Sequence, residues 1–127
     1  MTTAELTHFG TKYATAWCSQ NAASVAAFFE ENGSLQINAG PPSVGRAAIT
    51  AAAQSFMTAF PDLLVSMDEV SVHEDGAIFR WTLVGTNTGK HVRISGREEW
   101  KFGESGLVAE SKGHFNEADY KRQLNPT

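Results

Sequence analysis

Apolar residues recur at three- and four-residue steps over the first sixty positions and at two-residue steps over most of the rest. Leu6, Phe9, Tyr13 and Trp17 form one apolar-aromatic stripe behind the capping residues Thr2 and Thr3, which predicts a first helix. "NAASVAAFFEENG" repeats that spacing in small, with Val25, Phe28 and Phe29 on one side and Gly33 as a stop. "SLQIN" reads as a short strand and "AGPPSVG" as a loop. Arg46 to Phe60 read as a third helix, with Ile49, Ala53, Phe56, Met57 and Phe60 on its apolar side, and Pro61 ends it.

After Pro61 the period changes to two. Leu63–His73, Ala77–Thr86, Val92–Phe102 and Leu107–Phe115 read as strands, separated by the glycine-containing hairpin signals "EDG", "NTGKH" and "GESG". A short, charged, helix-like tail follows. Helices first and a meander second describe an α+β domain, one unit over residues 1–127, with three N-terminal helices packed on one face of a mainly antiparallel sheet.

Which strand residues face the helices decides the chemistry. In Val92–Phe102 the even positions are apolar except Glu98, so they form the covered face. Pairing Phe102 with Val108 across "GESG", and Thr86 with Val92 across the preceding turn, puts Arg80, Glu98 and Lys112 in one row. Thr82, Gly96 and His114 make the next row. Two covered cations and one anion need a further negative charge, because an unpaired buried charge is costly. Glu110 could supply it, and so could an anionic ligand, which would make the row an oxyanion site. His114 is then the natural proton-transfer group. The competing reading is a solvated charged face, and a bulge in either strand would reverse the parity.

Composition narrows the partners. The 127 residues are 42% hydrophobic and 19% charged, ordinary for a folded domain, with a formal charge of −4. No Lys/Arg cluster exceeds Lys121-Arg122, so neither nucleic acid nor an anionic membrane is an expected partner. The lone Cys18 admits no intrachain disulfide and reads as a packed helix residue. No basic start precedes an apolar run, and the expected location is cytoplasmic. No residue spacing suggests a metal site or a phosphate-binding loop, so no metal or cofactor is expected.

Three stretches carry a family resemblance: "AFPDL" closing the third helix, "FRWTLVGTNTG" on the central hairpin, and "GLVAESKGHFNEADYKRQL" at the end. Nearly the whole chain resembles the SnoaL-like polyketide cyclases, within the nuclear transport factor two and ketosteroid isomerase-like superfamily. The resemblance implies a cone-shaped α+β barrel whose cavity lies between the helices and the concave sheet face. Tyr13, Trp17, Phe56, Phe60, Arg80, Thr82, Glu98, Trp100 and Lys112 would line it, around a hydrophobic small molecule. It also implies a homodimer through the outer sheet face, where Phe79, Trp81 and Leu83 are expected.

One departure matters. Where the cyclases carry a catalytic aspartate, this chain has Asn116, whose amide cannot take a proton near neutral pH. The catalytic assignment therefore falls on His114 with Asn116 as a hydrogen-bonding partner, in a proton transfer next to a carbonyl of an aromatic or polycyclic metabolite, such as aldol cyclisation or isomerisation. The alternative is a non-catalytic ligand-binding or dimerisation domain with Arg80–Glu98–Lys112 as a structural ion network.

Overall fold

The computed structural model describes residues 1–74 and 76–125. The elements in chain order are α1 (Thr3–Trp17), α2 (Ala22–Ala26), β1 (Phe29–Ile37), β2 (Ser43–Val44), α3 (Arg46–Ala59), β3 (Leu64–His73), β4 (Gly76–Asn87), β5 (Lys90–Phe102), β6 (Val108–Phe115) and α4 (Glu117–Leu124). The six strands form one curved, open sheet in the order β2-β1-β6-β5-β4-β3. All neighbours are antiparallel except β1 and β6. This is the expected α+β architecture, with one parallel pairing added.

Helix α1 begins in a capping box. The Thr2 hydroxyl accepts the Glu5 N–H at 3.1 Å, and Glu5 Oε1 accepts the Thr2 N–H at 2.9 Å. Its stripe of Leu6, Tyr13 and Trp17 is buried, and Tyr13 is fully enclosed. Gly10 lets α1 approach the sheet closely: a Cβ there would fall 2.6 Å from Met67 Sδ on β3.

The second helix is shorter than the spacing predicts. It ends at Ala26, and Phe29 already pairs with Val108 of β6. Helical spacing in "VAAFF" is overridden by the tertiary pairing, because a fully buried Phe29 completes the core from within the sheet. The register then slips between Phe29 and Ser34, which accommodates the polar "EENG". The "AGPPSVG" loop contains the two-residue strand β2. The "EDG" turn includes Asp75, which lies outside the described residues.

Two strand registers differ from expectation by one residue. Between β4 and β5, Asn87 faces Lys90 across a two-residue turn of Thr88 and Gly89, with φ of 48° and 80°. Left-handed conformation at both central positions is what the tightest hairpins need, but a β-branched threonine rarely adopts it. The sequence therefore suggests a longer loop with Thr86 opposite Val92, whereas Thr86 faces His91. Between β5 and β6, Phe102 does face Val108, but the register slips immediately and Lys101 faces Glu110. Each slip turns a strand over, since side chains alternate between faces. Phe79, Trp81 and Leu83 of β4 thus face the helices, together with Ser111, Gly113 and Phe115 of β6.

Candidate functional site

On β5 the helix-facing positions include Ile94, Glu98 and Trp100, all buried. Glu98 is only 7% exposed, so its hydrogen bonds decide what it can be. Tyr13, projecting from the α1 stripe, donates its hydroxyl to Glu98 Oε1 at 2.9 Å. Ser111 lies opposite Trp100 in the β5–β6 register and donates to the same oxygen at 2.7 Å, and the Trp100 indole N–H does so at 3.1 Å. Oε2 has no partner among the described residues. No enclosed side-chain polar atom there lacks one, so Oε2 has open space beside it.

That space is a cavity of about 60 Å³. Glu98 is its one ionisable lining group; Trp17, Leu35, Phe56, Phe79, Trp81 and Phe115 supply much of the apolar wall. Burial pushes the Glu98 carboxyl above the ordinary 4.5, against the pull of its three hydrogen-bond donors. Burial, then the adjacent Glu98 charge, pushes the Tyr13 phenol well above its ordinary value. The arrangement is a carboxyl that holds its proton more tightly than an exposed one, with one oxygen anchored and the other free, facing an apolar hollow.

The structure divides the residues singled out in the sequence. Trp17, Phe56 and Glu98 line the cavity. Tyr13 and Trp100 stand behind Glu98 as its donors, and Phe60 is fully buried against Gly85, outside the lining. Arg80, Thr82, Lys112 and His114 occupy the outer face, because of the two register slips. The row Arg80–Glu98–Lys112 therefore does not form, either as an oxyanion site or as an ion network.

Each of those outer residues has a local partner. His114 Nε2 lies 2.6 Å from Glu99, Lys112 lies 3.5 Å from Glu110, and Arg80 lies 3.8 Å from Glu69. The His114 hydrogen bond holds the Glu99 carboxyl below its ordinary value. Thr82 bonds Asp68 at 2.6 Å. Asn116 is the N-cap of α4, its Oδ1 accepting the Asp119 N–H at 2.9 Å. Phe79, Trp81 and Leu83, expected at an outer dimer face, are cavity residues.

Sequence reasoning missed Ser111 and the aromatic wall of β4 and β6. A signal existed for β4: Phe79, Trp81 and Leu83 are its bulkiest alternate set, and the covered face takes the bulk. Nothing in the sequence marks Ser111, whose role depends on the slip after Val108. Among the described residues, no group of three or more His, Cys, Asp or Glu side chains could hold a metal ion, and no helix is long and apolar enough to cross a membrane.

An open, curved sheet wrapped over helices, with an apolar cavity between the layers, matches the ketosteroid isomerase-like class of α+β fold. The chain belongs to the SnoaL-like domain family, whose model matches residues 11–111. It is similar to the solved structure of TsrD from Streptomyces laurentii, at 16% identity and a TM-score of 0.85, over 100% of this chain and 99% of that one. A hypothetical protein with a ketosteroid isomerase-like fold from Catenulispora acidiphila, in complex with trimethylamine, is similar at 14% identity and a TM-score of 0.82, covering 91% and 90%. A SnoaL-like polyketide cyclase, so described from Jannaschia sp. CCS1, matches at 13% identity and a TM-score of 0.76 over 94% of each chain. At these identities the likeness concerns the fold. No curated protein matches the chain in sequence.

Proposed function

We propose that the cavity binds a small, neutral, largely apolar molecule through one polar atom held by Glu98 Oε2, and that Glu98 exchanges a proton with it next to a carbonyl. The observation that carries this is the asymmetry of the carboxyl, with three donors on Oε1 and none on Oε2. When Glu98 gives up its proton, those donors take up the charge; when it regains one, Oε2 is where it resides. The role assigned from sequence to His114 passes to Glu98, and Tyr13, Trp100 and Ser111 position it.

Size limits the ligand. A cavity of about 60 Å³ is smaller than the ~150 Å³ that accommodates benzene in an engineered core. A molecule smaller than a six-membered ring is favoured, entering past the half-buried Phe56 and Phe115. Charge limits it too, since a carboxylate beside Glu98 in an apolar hollow would add an unpaired buried charge.

A thermal-shift panel of small, neutral open-chain ketones and alcohols, run against the matching carboxylates, tests the binding half. A neutral ligand at 100 times its dissociation constant should add about 2.7 kcal/mol, and the carboxylates should add nothing. Proton exchange is read as solvent deuterium entering the position beside the carbonyl, and Glu98→Gln should abolish it while leaving binding in place. Preference for carboxylates, or exchange that survives Glu98→Gln, contradicts the proposal. A second reading, binding without turnover, is favoured by the small number of free donors on the cavity wall; ketones that bind without exchange in the wild type would establish it.

A further inference from the structure

The outer face of the sheet carries an unusual row. Arg80, Arg97 and His114 stand directly opposite one another across β4, β5 and β6. Opposed side chains are about 4.5–5.5 Å apart at Cβ, and like charges in such a pair are destabilising. Arg80 meets Glu69 on its side away from Arg97, at 3.8 Å. His114 is committed to Glu99. Arg97 has neither an ion pair nor a hydrogen bond among the described residues, although Glu99 is two positions along on the same face.

The row borders a groove that also includes Asn38, Asp68, Ser95 and Asn116. Acceptors there are largely spent on the protein itself. Asn38 Oδ1 accepts the Phe115 N–H at 2.9 Å, and Asn116 Oδ1 accepts the Asp119 N–H at 2.9 Å, so each amide has its NH2 left to offer. Asp68 accepts the Thr82 hydroxyl at 2.6 Å, and the Thr82 oxygen takes the Ser95 proton at 2.8 Å. What remains is a set of donors around a guanidinium with no counter-charge in contact. Asp68 also lines the groove and is its one acidic residue.

We propose that this groove binds a multi-oxygen anion, the phosphate or carboxylate group of a small metabolite, with the Arg97 guanidinium as its principal anchor and the Asn38 and Asn116 amides as additional donors. The charged row is on the opposite face of the sheet from Glu98, with Phe115 lining both hollows, and the proposal does not depend on the reading given to the cavity.

Titration of wild type and Arg97→Gln with inorganic phosphate, and separately with succinate, tests the proposal by backbone amide NMR. Sodium chloride at matched ionic strength is the control. Saturable shifts at residues 97, 114 and 116 are expected in the wild type with one or both anions, weakened at least tenfold in Arg97→Gln, and the tighter anion names the ligand class. In anion-free buffer, Arg97→Gln should melt above the wild type, because the opposed Arg80–Arg97 charges are relieved. Equal saturation in both proteins, shifts that chloride reproduces, or no saturation with either anion would overturn it.

Discussion

Glu98 is the residue on which the account turns, and its energetics give it a pH signature. Its folded carboxyl is raised above 4.5 by burial, so the folded state holds its proton more tightly than the unfolded chain does. The stability it contributes is fully present below 4.5 and is lost as pH rises through the folded value. Glu98→Gln keeps an acceptor for the three donors and cannot ionise. It should therefore match or exceed the wild type in melting temperature at neutral pH, with the advantage shrinking as the pH is lowered. Glu99 has the opposite sign: its contribution is present above 4.5 and is lost as pH falls through its depressed value. Its bond to His114 is exposed, so His114→Ala should cost no more than about 1 kcal/mol in denaturant unfolding and leave cavity-ligand affinity unchanged. At this scale the sequence reading singled out Glu98 as the one polar member of an apolar row. It could not find the donors, because Tyr13 is 85 positions away and Ser111 depends on a register slip.

The elements were legible wherever one face is buried over several turns or pleats. Helices α1 and α3 and strands β3 to β6 lie within a residue or two of their expected spans, because their periodicity follows from the core they cover. What escaped was parity. One threonine in a left-handed turn and one slip between Lys101 and Phe102 exchanged the faces of β4 and β6, and with them most of the charged candidates. Gly96 shows how tightly the resulting register is held: a Cβ there would lie 2.4 Å from the His114 carbonyl oxygen and 2.5 Å from Trp81 Cζ2. Gly96→Ala should therefore cost about 1–3 kcal/mol by overpacking, read as a lower urea midpoint with an unchanged slope. A neutral effect would mean that Trp81 is not held across β5 as described.

For the whole molecule, the sheet separates two chemistries. Its helix side offers an apolar hollow with one ionisable group; its outer side offers charge and hydrogen-bond donors. The resemblance in sequence led to the correct family and fold, because overall layering survives a one-residue slip. It placed Arg80, Lys112 and His114 on the same face as Glu98, and a one-residue slip puts them on the other. The grounds first given for a dimer go the same way, with Phe79, Trp81 and Leu83 turned inward. The most direct test needs no substrate: a site-resolved NMR titration of the side-chain carboxyl carbons. The account predicts that Glu98 titrates above 4.5 and Glu99 below it, and that Tyr13→Phe, which removes a donor from Oε1, moves Glu98 higher still. A Glu98 carboxyl titrating at or below 4.5 would contradict the central claim that it is a buried carboxyl on an apolar cavity, holding its proton more tightly than an exposed one.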